Sequence, residues 1–231
     1  MTVTIYQGHN HFLKASDVNI VIDVIRAFTV AHYAFLGGVK NIFLVGSTDE
    51  AFALKKAQPQ YILAGEENGI GIKGFELDNS PKRISLERLT DKTLVQKTTN
   101  GVKAALHSLN TKHLFVTGFS NAKTTANYIR KSCAKSNKDF TINIIASHPT
   151  GDDDLACAEY MKGLILGKET ITPTEVRRRI EYSHVAKKFF AEDNPEFDCE
   201  DLCFCLRELK TNFVMQVKNT RKIPMIERKN V

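Results

Sequence analysis

The stretch TLVQKTTNGVKAAL, residues 93–106, carries both halves of the unit from which the fold is built. Residues 93–97 are a short apolar run suited to a buried strand, and Val102, Ala104, Ala105 and Leu106 belong to a helix-like run. Two hydroxyls, an amide and a glycine, Thr98 to Gly101, stand where strand hands over to helix. The alternation recurs along the chain. Residues 19–24 (NIVIDV), 41–45 (NIFLV), 61–65 (YILAG), 113–117 (HLFVT) and 141–147 (TINIIAS) read as further short buried strands. Between them, RAFTVAHYAFLGG (26–38) ends in a glycine pair suited to a helix C-terminus. STDEAFALKKA (47–57) opens with Ser47 and Glu50 in capping-box spacing. SNAKTTANYIRKSCAKS (120–136) is a third helix candidate. Continuous apolar strands alternating with helices predict an α/β fold, a mostly parallel central sheet with helices on both faces.

Past residue 147 the pattern changes. DDDLACAEYMKGLILG (152–167) and TPTEVRRRIEYSHVAKKFF (172–190) read as helices, the second with Thr172 as N-cap, Pro173 at the first helical position and Glu175 three beyond the cap. A helix over 199–209 and a strand over 212–217 complete a helix-rich C-terminal third. Repeats, low-complexity segments and linkers are absent from the sequence, which predicts one domain over residues 1–231.

Apolar residues make up 42% of the chain, enough for a substantial core. No run approaches a membrane span, and MTVTIYQGHNHFLK has no apolar signal-peptide core, so a cytoplasmic protein with no membrane partner is expected. The five cysteines, Cys133, Cys157, Cys199, Cys203 and Cys205, read as reduced thiols. CEDLCFC (199–205) has no CxxC pair and no nearby histidine, which favours a buried helix face over a zinc site. The net charge of +6 is densest at VRRRI and AKKFF. Both alternate with apolar residues at helical spacing and read as solvated helix faces. Without a recognised motif or an aromatic platform, no nucleic-acid partner is expected. A homo-oligomer is left open.

In an α/β sheet, ligands bind beyond the carboxyl ends of the strands. Those ends bring Asp23 and Arg26, Gly65 to Glu67, Thr98 to Gly101, Ser120 and Asn121, and Ser147, His148 and Asp152 to Asp154. Carboxylates, hydroxyls, amides and an arginine suit a divalent cation and an oxyanion. Each has a plainer reading. TTNG is a helix entry or, compatibly, an oxyanion cradle at a helix N-terminus, with Lys97 adding charge if it points inward. Asp23 either pairs with Arg26 or binds a cation while the Arg26 fork takes phosphate or sulfonate oxygens. AGEENGIGIKGFELDNSP (64–81) is a surface loop or, being long, a functional one presenting Asn79 and Ser80. The Asp152–Asp153–Asp154 triple complements a helix dipole or lends a metal ligand. Cys157, one turn on, is a small core residue or a thiol at the site.

DVIRAFT, AGEENGIGIKGFELDNSP, KTTNG, GFSNA and the acid–Cys157–Ala158 helix, in this order, resemble the 2-phosphosulfolactate phosphatase family of coenzyme M biosynthesis. The resemblance runs from about residue 18 to the C-terminus; its specific part is the AGE…NSP element followed by TTNG. It implies a phosphoric monoester hydrolase with Mg2+ as cofactor, converting (2R)-2-phospho-3-sulfolactate to 3-sulfolactate and phosphate. Asp23, Arg26, Glu66 and Cys157 match as catalytic positions, and Asn79, Ser80, Thr98, Thr99, Asn100, Gly101 and Asn121 match as substrate-binding ones. Asp23, Glu66 and one of the Asp152–Asp154 acids, taken as Asp154, would hold the metal. The nucleophile is Asp23, a water activated by the cation or, ranked third, Cys157, for which no basic partner is visible. The chain departs from the family pattern at Phe28, Asp78, Val102 and Glu159, which puts the exact substrate in doubt. The competing readings are a phosphatase for another small phosphorylated carboxylic acid and a non-catalytic anion-binding protein.

Overall fold

The computed structural model describes residues 1–8, 12–133, 139–168, 170–191, 194, 196–219 and 222–231. In chain order its elements are β1 (Thr2–Gln7), β2 (Ser16–Ile22), α1 (Ala27–Leu36), β3 (Asn41–Leu44), α2 (Thr48–Ala57), β4 (Ile62–Glu67), β5 (Ile70–Gly71), α3 (Pro81–Leu86), β6 (Thr93–Lys97), α4 (Gly101–His107), β7 (Thr111–Thr117), α5 (Phe119–Tyr128), β8 (Thr141–Ala146), α6 (Asp152–Leu166), α7 (Pro173–Tyr182), α8 (Glu200–Cys205), β9 (Phe213–Lys218) and β10 (Met225–Asn230). A π turn, Ile129–Cys133, extends α5. Residues 134–136 of the helix expected there lie outside the described residues.

The caps form where the spacing puts them. Ser47 Oγ accepts the Glu50 N–H at 3.2 Å, and Thr172 Oγ1 accepts the Glu175 N–H at 3.2 Å. The single helix expected over 172–190 does not form. Ser183 adopts an extended conformation, its Oγ accepts the Ala186 N–H, and the chain resumes as a 3-10 turn at Lys187–Phe190. The helix expected over 199–209 shortens to six residues, and only Cys205 of the cysteines in CEDLCFC is buried; Cys199 and Cys203 are exposed. Strands β1, β5 and β10 and helix α3 were not expected. β10 reads MIERKN and buries only Met225 and Ile226; pairing with β9 and β3, not composition, makes it a strand.

The ten strands form one sheet in the order β1-β8-β2-β7-β9-β10-β3-β6-β4-β5. Two parallel wings, β1-β8-β2-β7 and β3-β6-β4, flank an antiparallel seam made by β9 and β10. The three antiparallel steps across the seam reverse the second wing relative to the first, so a flat sheet would send the carboxyl ends of β2 and β6 to opposite edges. Twist changes this. At roughly 20–25° per neighbour, five steps from β2 to β6 accumulate roughly 100–125°. Rotation alone would leave strands five places apart about 24 Å from each other, so the sheet also curls: a Cβ on Gly101, after β6, would meet Asp23 Oδ2, after β2, at 2.5 Å.

One apolar cluster lies under α1, α3 and α4 and another under α5, α6 and α7. Helix α1 is buried from Ala27 to Phe35 and packs on α3, α4, α5 and β7. The wall of the second wing depends on Gly65, at φ +148°, where a Cβ would stand 1.9 Å from the Lys97 carbonyl oxygen. Gly65→Ala should therefore cost about 3 kcal/mol or more. At Gly46 a Cβ makes only ordinary contacts, the nearest at 3.6 Å, and Gly46→Ala should unfold within about 1 kcal/mol of the parent. Chemical denaturation of the two variants checks the contrast; equal midpoints would overturn it.

Candidate active site

A cleft of about 270 Å³ opens where the wings converge, lined among others by Asp23, Arg26, Glu66, Asn79, Thr99 and Asn100. Asp23 follows β2, is 5% exposed, and caps α1 by accepting the Ala27 N–H at 2.8 Å. Its Oδ2 accepts a hydrogen bond from Ser147 Oγ at 3.2 Å. Ser147 also lies 3.0 Å from Asp154 Oδ2, so one hydroxyl links the two carboxyl groups. Burial first, then the charges of Asp154 and Glu66, push the Asp23 carboxyl up to about 8. Burial and the neighbouring carboxyl groups also raise Asp153 and Asp154.

Glu66 explains the TTNG segment. Its carboxylate accepts the Thr99 N–H at 2.5 Å, the Thr99 hydroxyl at 2.9 Å and the Gly69 N–H at 2.5 Å. An anion does sit against this segment, and it is the protein's own. Thr98 Oγ1 accepts the Val102 N–H at 2.9 Å and caps α4. Gly101 permits close approach to the Asp23 and Ala27 side chains. Lys97 points away, to Glu67 at 2.9 Å.

Arg26 does not pair with Asp23. Its Nη1 donates to Asp201 Oδ2 at 2.8 Å, its Nη2 donates to the Gly69 carbonyl at 3.2 Å, and its guanidinium lies 5.1 Å from the Phe189 ring centroid and 5.4 Å from that of Phe197. The other oxygen of Asp201 accepts the Ser80 hydroxyl at 2.6 Å and the Lys82 N–H at 3.1 Å. Ser80 thus supports Arg26 and caps α3. Asn79 Oδ1 is buried with no protein partner.

Other expected residues fall elsewhere. Asn121 caps α5, accepting the Thr117 hydroxyl and the Gly118 N–H, and is fully buried outside the cleft. Cys157 packs in the core under α6, and burial with the charges of Asp154 and Asp153 holds its thiol well above the ordinary range, which argues against a thiolate nucleophile. Asp152 is spent on Arg179. None of the four departures lines the cleft: Phe28 and Val102 are in the core, Asp78 pairs with Arg83 and Glu159 pairs with Arg179.

His148, expected at the end of β8, lines the cleft; the residues missed are Ile25, Asn68, Gly69, Val185 and Lys188 in the wall and Asp201 behind it. Asn68-Gly69 had a legible signal: both take positive φ, 54° and 88°, at the tip of the β4–β5 hairpin, the two-residue turn that Asn-Gly favours. Lys188 had none, because AKKFF has the spacing of a solvated helix.

The donors fit one class of metal. Among the described residues no three histidine, cysteine or acidic side chains stand at ligand spacing, so a closed cage is not formed. Asp154 does not line the cleft and accepts the Val24 and His148 N–H groups. Asp23 and Glu66 remain at the cleft, with Asp153 Oδ1 buried and unpartnered behind them. Two carboxylates suit a hard cation such as Mg2+, which keeps waters and takes further ligands from a substrate phosphate.

Because the folded chain holds the Asp23 proton up to about 8 against an ordinary 3.8, this group's contribution to stability is full below about pH 4 and is lost as pH rises toward 8. Asp23→Asn removes that loss. In chelator-containing buffer the variant should gain on the parent by on the order of a few kcal/mol between pH 4 and pH 9. A difference in unfolding free energy that stays constant with pH would contradict the assignment.

The comparisons with known proteins agree with the cleft's chemistry. The family model described as 2-phosphosulpholactate phosphatase matches residues 3–220. A probable 2-phosphosulfolactate phosphatase of Bacillus subtilis (strain 168) is 60% identical over 228 residues, covering 99% of each chain. One of the same description from Caldicellulosiruptor saccharolyticus is 34% identical over 218 residues, covering 87% of this chain and 88% of its own. With a match that spans nearly its whole length, the chain belongs to the 2-phosphosulpholactate phosphatase family, a family of phosphoric monoester hydrolases.

Proposed function

We propose that this protein is a magnesium-dependent phosphatase that hydrolyses (2R)-2-phospho-3-sulfolactate to 3-sulfolactate and phosphate. The observation that carries the reading is the pairing, in one cleft, of mutually repelling carboxyl groups at Asp23 and Glu66 with a guanidinium fixed at Arg26. The names of the relatives support the substrate. The family resemblance supports a place in coenzyme M biosynthesis and in the cytoplasm. No helix among the described residues is long and apolar enough to cross a membrane.

In this reading Asp23 and Glu66 hold Mg2+, which when bound supplies charge neutralisation and activation of the attacking oxygen. The chain does the positioning. Arg26 has five N–H donors; those not used by Asp201 and Gly69 are free for phosphoryl oxygens. Asp23 Oδ1 accepts the Ala27 N–H and Oδ2 shares the one Ser147 hydroxyl proton with Asp154; with Asp23 committed to the cation, water is the attacking group in this reading. Nδ1 of His148 accepts the Thr150 N–H at 3.2 Å, so the neutral ring holds its proton at Nε2. Burial and the nearby His184 and Lys188 lower its pKa and keep it neutral. Ile25 and Val185 supply apolar wall that limits water.

Phosphate release from a panel of small phosphorylated acids, with magnesium and with chelator, tests the proposal. The expected result is turnover of 2-phosphosulfolactate above the other acids, abolished by chelator. Turnover indifferent to chelator, or a better substrate among the other acids, would overturn it. Arg26→Lys keeps the charge but loses the planar fork, and should lower kcat/KM at least about tenfold, about 1.4 kcal/mol. An unchanged value would mean that Arg26 only supports the fold.

A further inference from the structure

Two cations share one aromatic pair at the cleft. Phe189 and Phe197 stand edge to face with centroids 5.2 Å apart. Arg26 lies over both, and Lys188 Nζ lies 4.6 Å from the Phe197 centroid and 5.8 Å from that of Phe189. Their charges are answered differently. Asp201 neutralises Arg26 at 2.8 Å. Among the described residues Lys188 has no ion pair and no hydrogen bond; its ammonium sits over the two rings. It is half-buried in the cleft wall, while its neighbour Lys187 is exposed. Gly69, at φ +88°, makes room for the Phe197 ring under Lys188: a Cβ there would stand 2.8 Å from that ring. Burial first, then the adjacent Arg26 charge, press the ammonium toward losing its proton, against the charges of Glu66, Asp23 and Asp153. A desolvated ammonium beside a guanidinium gains from an incoming anion the direct contact partner that the described residues do not give it.

We propose that Lys188 is a specificity-determining residue: its ammonium, rather than the cation held by Asp23 and Glu66, receives the sulfonate of the substrate. This rests on the proposed reaction. A substrate with three anionic groups must distribute them over the cleft, and a hard divalent cation takes phosphate and carboxylate oxygens. The sulfonate then needs a fixed cation of the protein. Lys188 offers a compact charge with three rotatable donors. In the proposed reaction the Arg26 donors not used by Asp201 and Gly69 take phosphoryl oxygens.

The test compares Lys188→Met and Lys188→Arg with the parent in two assays, after circular dichroism shows that each is folded. The first measures kcat/KM for 2-phosphosulfolactate and for 2-phospholactate, which lacks the sulfonate. The second measures binding of 3-sulfolactate by calorimetry, which needs no turnover. Lys188→Met should lower the ratio of the two kcat/KM values about tenfold and raise the Kd for 3-sulfolactate about tenfold, and Lys188→Arg should recover most of both. Equal losses on the two substrates, an unchanged Kd, or a parent that does not bind 3-sulfolactate would overturn the assignment. Absence of phosphate release from both substrates by the parent would refute the proposed reaction, and the calorimetry would still decide the role of Lys188.

Discussion

Asp201 is the point through which the cleft is assembled. One oxygen takes the Arg26 guanidinium; the other takes the Ser80 hydroxyl and the Lys82 N–H. Three segments far apart in the chain, the start of α1, the start of α3 and the first turn of α8, are thereby tied to one carboxylate. The pair is almost wholly withdrawn from solvent, with side-chain exposures of 5% and 1%. Removing one partner of such a pair leaves a buried charge uncompensated, at a cost of about 3–5 kcal/mol. The geometry is held for that reason, and it fixes the arginine face that looks into the cleft.

The rest of the site follows from how charge is divided. Helix starts gather at the cleft, and the chain's own carboxylates occupy them: Asp23 at α1, Glu66 at the segment before α4, and the acids of α6 beside β2. These acids are buried close enough to raise one another's proton affinity. The cations that would ordinarily neutralise them are directed elsewhere, Arg26 to Asp201 and Lys97 to Glu67. An acidic floor that lacks its own counter-charge, beside a basic wall on two phenylalanines, suits a cation on one side and an anion on the other.

Sheet twist and curl together make this possible. The wings run in opposite senses across the β9–β10 seam, and without accumulated rotation Asp23 and the TTNG segment would lie at opposite edges. Gly101 records the closeness of the result, since its missing side chain is what allows α4 to start against Asp23.

Most of the elements and much of the polar inventory were legible in the sequence. Apolar runs of strand length, capping signals at Ser47 and Thr172 and the Pro173 start are local features, and local sterics and backbone hydrogen bonding settle them. Asp23, Arg26, Glu66, Asn79, Thr99 and Asn100 were legible because polar residues directly after buried strands need partners or a ligand. Only the tertiary structure decided which partner each found. TTNG carries the signature of an anion cradle, yet the anion it holds is Glu66, 33 residues away in sequence. The Arg26 partner is Asp201, 175 residues away, and nothing in DVIRA points to it. Asn121 and Cys157 stand at strand ends or beside acids in sequence but face the core, because a helix start has two sides and only packing chooses between them. Lys188 has the sequence spacing of a solvated lysine; the turn at Ser183 and the aromatic pair bring it to the cleft. Charge pairing and side-chain direction depend on distances between segments, and those distances come from twist and packing that no local pattern encodes.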